Sequence, residues 1–174
     1  MSMPHHEDEL MDLVDENDHV IGQKLRSEIY AEEIFNFRVV NGFVVNARGE
    51  LWIPRRSAHK RRYPSCLDFG VGGHVESGET YDQAFEREVR EELNLDVKQL
   101  PVRLLGHLYP HLDHVSVFMQ VYEIRLDVAP NYNKDDFVEY FWMQPQELLD
   151  RIEQGEPAKT DIPPLIKRFY LNHK

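Results

Sequence analysis

Residues 73–95, GHVESGETYDQAFEREVREELNL, decide how this chain is read. From Thr80 to Leu93 the stretch carries helix signals. Thr80 with Gln83 three residues on makes a capping-box pattern. Tyr81, Phe85, Val89 and Leu93 recur every four residues as an apolar stripe. Three carboxylates, Glu88, Glu91 and Glu92, stand at spacings of three and four, which puts them on one helix face. At about 100° per residue, Glu88 and Glu92 fall at the edge of the stripe. Ala84, one turn before Glu88, is small enough to let a loop approach. The acids are therefore expected at the rim of a cleft. Alone, a helix with several glutamates usually means a solvated acidic face. Like charges gathered this closely also suit a bound cation, and hard oxygen ligands suit Mg²⁺ or Mn²⁺.

Outward from this helix the chain reads as strands. Upstream, residues 67–73 carry Gly70, Gly72 and Gly73 in a weak strand pattern. Glycine there implies bulges or close approach of the backbone to a ligand. Residues 58–65 form a basic loop with Lys60, Arg61 and Arg62, expected to be solvated. Residues 37–45 read as a buried strand, 46–49 as a turn, and 50–54 as a return strand stopped by Pro54. Residues 10–14 and 19–25 read as a hairpin about the turn formers Asp15 to Asp18. Residues 27–33 read as a short helix or turn. Downstream, 102–107, 115–126 and 139–143 read as strands, and 147–153 and 163–171 as helices. Strands on both sides of a central helix, with helices at the end, indicate α/β/α layers. Residues 1–9 read as a frayed tail and 10–174 as a single domain.

The chain has 174 residues, of which 41% are hydrophobic, enough for a proper core. The single cysteine, Cys66, excludes an internal disulfide framework and a Cys-rich zinc site, and reads as a small buried hydrophobe. A reducing, cytoplasmic setting is expected. The sequence holds no apolar run of signal-peptide or membrane-spanning length. The net charge of −11 repels nucleic acid and anionic membrane at long range. An anionic substrate would need local cations, and Arg55 and Arg56 stand just upstream of the acidic stretch. Arginine forks fit phosphate oxygens, so both are candidates for substrate phosphate, against the alternative of surface charge. Phe37, Phe43, Trp52 and Phe69 read as core. His107, His111 and His114 flank Leu108-Tyr109-Pro110, which breaks a helix, and read as loop histidines.

The spacing Gly73, Glu79, Arg87-Glu88, Val89, Glu91-Glu92, Leu95 resembles the signature of the Nudix hydrolases, G-x5-E-x7-R-E-U-x-E-E-x-G-U with U apolar. Asn94 stands where the family has glycine, and asparagine is the next most tolerant residue in the left-handed conformation expected there. The resemblance implies an α/β/α sandwich with a mixed central sheet, here with an added N-terminal β-hairpin. It implies hydrolysis of a diphosphate linkage joined to another moiety, commonly a nucleoside. It assigns Glu88, Glu91, Glu92 and the Gly73 carbonyl to a divalent metal, Mg²⁺ or Mn²⁺. Glu79 supports the site, and Arg87 pairs with a glutamate to hold it. The general base is left open between Glu88 and, outside the signature, Asp135, Asp136 and Glu139, which also read as a solvated acidic loop. The implied partner is a small nucleoside diphosphate-type molecule, with no nucleic acid or membrane. Oligomeric state is left open between monomer and homodimer.

Residues 13–30, 53–57 and 63–79 further resemble the branch of this family that contains isopentenyl-diphosphate isomerase. That enzyme places a cysteine before its glycine-histidine pair, and here Gly72 precedes Gly73-His74. Its histidine ligands from the strand region 37–41 are missing as well. His74 matches the pair but without those partners reads as structural. Isomerase-like chemistry and a non-catalytic nucleotide-binding module are the two alternatives to hydrolysis.

Overall fold

The computed structural model describes residues 8–172; residues 1–7 of the expected tail lie outside them. β1 (Leu10–Val14) and β2 (Val20–Leu25) form an antiparallel hairpin, a two-stranded sheet of their own. Its turn uses the chemistry of its residues: Asp15 Oδ1 accepts the N–H groups of Asn17 and His19, both at 2.9 Å. α1 (Arg26–Ala31) follows, then β3 (Arg38–Val45), β4 (Leu51–Arg56), β5 (Val71–His74) and α2 (Tyr81–Leu93). The remainder is β6 (Val102–Leu108), the single turn α3 (Pro110–Asp113), β7 (Phe118–Arg125), β8 (Phe137–Met143), α4 (Pro145–Glu153) and α5 (Ile162–Ile166). A π-helical turn, Lys167–Leu171, continues α5.

The main sheet runs β6-β7-β3-β4-β8 and is mixed, because β3 and β7 are parallel while the other pairs are antiparallel. The second edge of β3 is divided. β5 pairs with it from Val39↔His74 to Gly42↔Val71, while β4 meets it only at Val45↔Leu51. The glycine-rich β5 thus occupies the space that β4 leaves. Side chains alternate about the sheet. Phe43, Val45, Leu51, Ile53 and Met119 enter one core with Leu148, Leu149, Leu165 and Ile166 of the C-terminal helices. Val40, Val44, Trp52, Val71 and Ile124 enter another with Ala84, Phe85, Val89 and Leu93 of α2. Helices therefore cover both faces, giving the α/β/α sandwich. Phe37, Phe43, Trp52 and Phe69 are all buried in these cores. Among the described residues no helix is long and apolar enough to cross a membrane.

Several boundaries differ from the sequence reading, each for a local reason. β4 runs through Pro54 to Arg56. The Pro54 carbonyl accepts from the Asp68 N–H (2.9 Å), so its ring nitrogen also faces away from β8 and removes no bond from that ladder. β7 starts at Phe118, because the Ser116 N–H donates to Asp161 Oδ1 (3.1 Å) instead of joining a ladder. Of residues 67–73 only the end forms a strand, and Leu67 makes single bridges to Arg55 and Ala158. Pro110 opens a helical turn, since the first helical position needs no N–H. His107 accordingly lies in β6 and His111 in α3, and neither is a loop histidine. Cys66 is half-buried and free.

Candidate active site

α2 is fixed at both ends. Gln83 N–H donates to Thr80 Oγ1 (3.1 Å), and Thr80 N–H donates to Gln83 Oε1 (2.9 Å). At the other end Asn94 takes φ 54°, the left-handed turn that suits asparagine in place of glycine. The apolar stripe is drawn into the core and takes its neighbours with it. Glu92 is 8% exposed and the Glu88 side chain 13%, so these acids lie deeper than a rim; Glu91 stays in solvent at 58%.

Both inner acids rest on β5. A Cβ on Gly73 would collide with the Glu88 carboxylate, so only glycine lets that group lie against the strand. Glu92 Oε1 accepts from the Gly72 N–H at 2.9 Å. Arg87 joins the pieces. Its Nη1 donates to Glu88 Oε1 (2.8 Å), its Nη2 to Glu79 Oε1 (2.8 Å) and to the His74 carbonyl (2.9 Å), and its Nε to Glu79 Oε2 (3.1 Å). Glu79 Oε1 is itself held by the Glu76 N–H at 3.0 Å. Burial pushes the Glu88 carboxyl up to about 7, against the pull of Arg87 and with the help of the Glu91 and Glu9 charges. Burial, then the Glu88 charge, raises Glu92 well above the ordinary carboxylate range.

Two buried aspartates of the N-terminal hairpin hold the start of α2, Asp12 through the loop that joins it to β5 and Asp18 through Tyr81. Asp12 Oδ1 accepts from Ser77 Oγ (2.7 Å) and Asp12 Oδ2 from the Gly78 N–H (3.2 Å). Asp18 Oδ1 accepts from Arg38 Nε (2.6 Å), and its Oδ2 accepts from the Tyr81 hydroxyl and meets His107 Nε2, both at 2.7 Å. Sequence reasoning took both residues for ordinary hairpin positions. Beside this loop a cleft of about 630 Å³ is lined by Asp8, Glu9, Leu10, Glu76, Ser77, Arg87 and Glu91. At its back the Tyr30 hydroxyl lies 2.6 Å from His74 Nε2, and Glu9 Oε2 lies 3.5 Å from His74 Nδ1. Glu9 therefore belongs to the folded unit.

The cations upstream of the signature are engaged. Arg55 Nε meets Glu139 Oε1 (2.5 Å) and its Nη2 meets Glu156 Oε1 (2.6 Å). Arg56 Nη1 meets Asp68 Oδ2 at 2.8 Å, and Lys159 Nζ reaches Asp68 Oδ1 at 3.0 Å. Lys60 Nζ meets Asp136 Oδ1 at 2.5 Å, and the Arg62 guanidinium lies 4.1 Å from the Tyr30 ring centre. This loop is thus less solvated than its composition suggests. Asp68 and Lys159 escaped the sequence reading because one charged residue between loops carries no local pattern.

Against known families, residues 36–166 match the NUDIX domain model. The chain belongs to the Nudix hydrolase family. It is 59% identical over 164 residues to an uncharacterized Nudix hydrolase of Nostoc, covering 94% of this chain and 97% of that one. A crystal structure from Deinococcus radiodurans matches with TM-score 0.88 and 46% identity, covering 93% of this chain and 99% of that one. More distantly, the isopentenyl-diphosphate Delta-isomerase of Kocuria rhizophila is 28% identical over 150 residues, 84% of this chain and 83% of that one. This Nudix protein departs from the isomerase pattern in space as well as in sequence. A Cβ at Gly72 would stand 2.6 Å from Asn41 Oδ1 and 3.1 Å from the Val40 carbonyl oxygen, so a cysteine does not fit without movement.

The donor chemistry of the Nudix signature suits a hard divalent cation. Glu88 and Glu92 rest on the glycine strand with carboxyls raised first by burial, a penalty that bound positive charge would relieve. Among the described residues, no three His, Cys, Asp or Glu side chains are gathered closely enough to hold a metal ion as they stand. Arg87 occupies part of that role by binding Glu88 at 2.8 Å and approaching Glu91 at 3.6 Å.

Proposed function

We propose that this Nudix protein hydrolyses a diphosphate linkage in a nucleoside di- or triphosphate, or in a related nucleoside diphosphate derivative, with Mg²⁺ or Mn²⁺. The observation that carries the reading is the pair of buried acids, Glu88 and Glu92, seated on Gly73 and Gly72 and braced by Arg87 and Glu79. Glu88, Glu91, Glu92 and the Gly73 carbonyl are the residues that would hold the metal. When bound, that ion neutralises diphosphate oxygens and acidifies water.

The chain's own groups supply the rest. Glu88 is assigned as the base that takes a proton from the attacking water on a carboxylate oxygen. Arg87 keeps the Glu88 carboxylate turned toward β5, and Glu79 keeps Arg87 in place. Arg56 is assigned to substrate phosphate. Arg55, matched by two carboxylates, ties β4 to β8 and to the segment after α4. Asp136 and Glu139 are drawn into ion pairs with Lys60 and Arg55, which favours Glu88 over them as base. A small-molecule substrate, no nucleic-acid or membrane partner, and a cytoplasmic setting complete the proposal.

The test is phosphate and pyrophosphate release from a panel of nucleoside di- and triphosphates, nucleotide sugars and dinucleoside polyphosphates. It is run with Mg²⁺, with Mn²⁺ and with chelator, and isopentenyl diphosphate is assayed alongside. Metal-dependent release is the expected result. Isomerisation, or binding without turnover, would replace hydrolysis with one of the two alternatives.

A further inference from the structure

The charges around β4 are not evenly matched. Arg55 faces Glu139 and Glu156, the second of which it shares with Arg151, and Lys60 faces Asp136. Asp68 is more deeply buried than Glu156 and is likewise shared by two cations, Arg56 Nη1 at 2.8 Å and Lys159 Nζ at 3.0 Å. All three side chains are largely out of water: 4% exposed for Asp68, 14% for Arg56 and 22% for Lys159. A surplus cation held in such a place is unfavourable unless an anion completes it. An ammonium has three donors, and among the described residues Asp68 is the one carboxylate in ion-pair contact with Lys159.

The group is built on fixed backbone. Leu67 N–H donates to the Pro157 carbonyl (2.8 Å) and Lys159 N–H to the Leu67 carbonyl (3.0 Å), which lace the segment before α5 to the approach of β5. Asp68 is pinned through its N–H on Pro54 (2.9 Å), while its own Oδ1 accepts from the Phe69 N–H (2.7 Å). The group lies on the segment that leads into the glycine strand of the candidate site. Asp68 stands four residues before Gly72, on whose N–H Glu92 rests. The Asp68 charge helps to raise the Glu92 carboxyl, and the Lys159 charge is felt by His74.

We propose that Lys159, seated with Arg56 on the buried Asp68 carboxylate, binds a phosphate group of the substrate. The proposal rests on the reading of a diphosphate substrate and assigns its anion a cationic contact from the far end of the chain. Asp68 keeps both cations in place while their remaining N–H groups take phosphate oxygens.

The test compares the full chain with Lys159→Met, Lys159→Gln and Lys159→Arg. Calorimetry measures binding of inorganic pyrophosphate at saturating Mg²⁺, and steady-state kinetics follow any nucleoside diphosphate the chain turns over. Lys159→Met is expected to weaken pyrophosphate about tenfold and to raise KM similarly, with kcat within about threefold. Lys159→Arg is expected to restore both to within about threefold of wild type. If Lys159→Met does not fold, Lys159→Gln, which keeps a hydrogen bond to Asp68 without the charge, gives the same comparison. Unchanged affinity in the folded neutral variants, or no pyrophosphate binding by wild type, would overturn the proposal. The outcomes separate it from the hydrolase reading. Lys159-dependent binding in a chain with no turnover keeps this inference and removes hydrolysis. Turnover with unaltered KM in Lys159→Met does the reverse.

Discussion

Two charged regions, one on α2 and one around β4, are built on opposite principles. On the α2 side Glu88 and Glu92 are buried together, share one arginine through Glu88 alone, and carry raised carboxyls. On the β4 side Arg55, Arg56 and Lys60 each close on a carboxylate within 2.8 Å. A fold that wanted only stability would match both regions, because an unpaired buried charge costs far more than a matched one contributes. The mismatch on α2 is therefore where the proposed chemistry is placed. The matched side mainly positions strands, with Asp68 and Glu156 each carrying two cations.

The comparison can be broken most forcefully at Glu92. Glu92→Gln keeps the Gly72 contact and removes the charge. Turnover is expected to fall about 10³-fold while the metal-free protein melts no lower than wild type. A parallel loss of folding, seen by thermal melting, would mean that the charge is structural. Next comes Gly73→Ala, whose added carbon has no room beside Glu88. Its expected cost is about 10²-fold in turnover, with a weaker dependence on metal concentration.

The pH dependence of stability sharpens the same contrast. Glu88 titrates near 7 in the native protein, above its ordinary 4.5, so the native state binds more protons in this window. Its contribution is fully present below about 4.5 and is lost as pH rises through about 7. Without metal the melting midpoint should fall over that range by on the order of 5 °C. Saturating Mn²⁺ should flatten the fall, as followed by calorimetry at several pH values. The smallest effect belongs to the matched side. Arg55→Ala should change turnover by less than about threefold and cost about 1 kcal/mol in urea unfolding, in line with a partly exposed ion pair.

The two regions also differ in how legible they were. The acids of α2 lie within one helix, so a period of 3.6 and one capping box reveal their shared face, while the family resemblance pointed to Gly73. The left-handed Asn94 followed from the glycine that the family signature places there. The partners of the β4 cations lie far away in sequence: Glu139 and Glu156 for Arg55, Lys159 for Asp68. No periodicity connects such positions, and only the strand order and the return of the chain after α4 bring them together. The hairpin was legible as a hairpin. That Asp12 and Asp18 reach across to Ser77, Gly78 and Tyr81 was not, since a buried aspartate in a turn looks like any other turn former. Burial depth was misjudged for a related reason. A helical wheel places Glu92 at an edge, but the approach of β5 closes that edge.

The most direct test of the account is calorimetric titration of Mn²⁺ into the wild-type chain and into Glu92→Gln at about pH 6.5, in buffers of different ionisation enthalpy that count released protons. The account predicts that Mn²⁺ binds wild type with release of protons from the crowded acids, and that Glu92→Gln loses most of both the affinity and the release. Equal binding by the two proteins, or binding with no proton release, would contradict it.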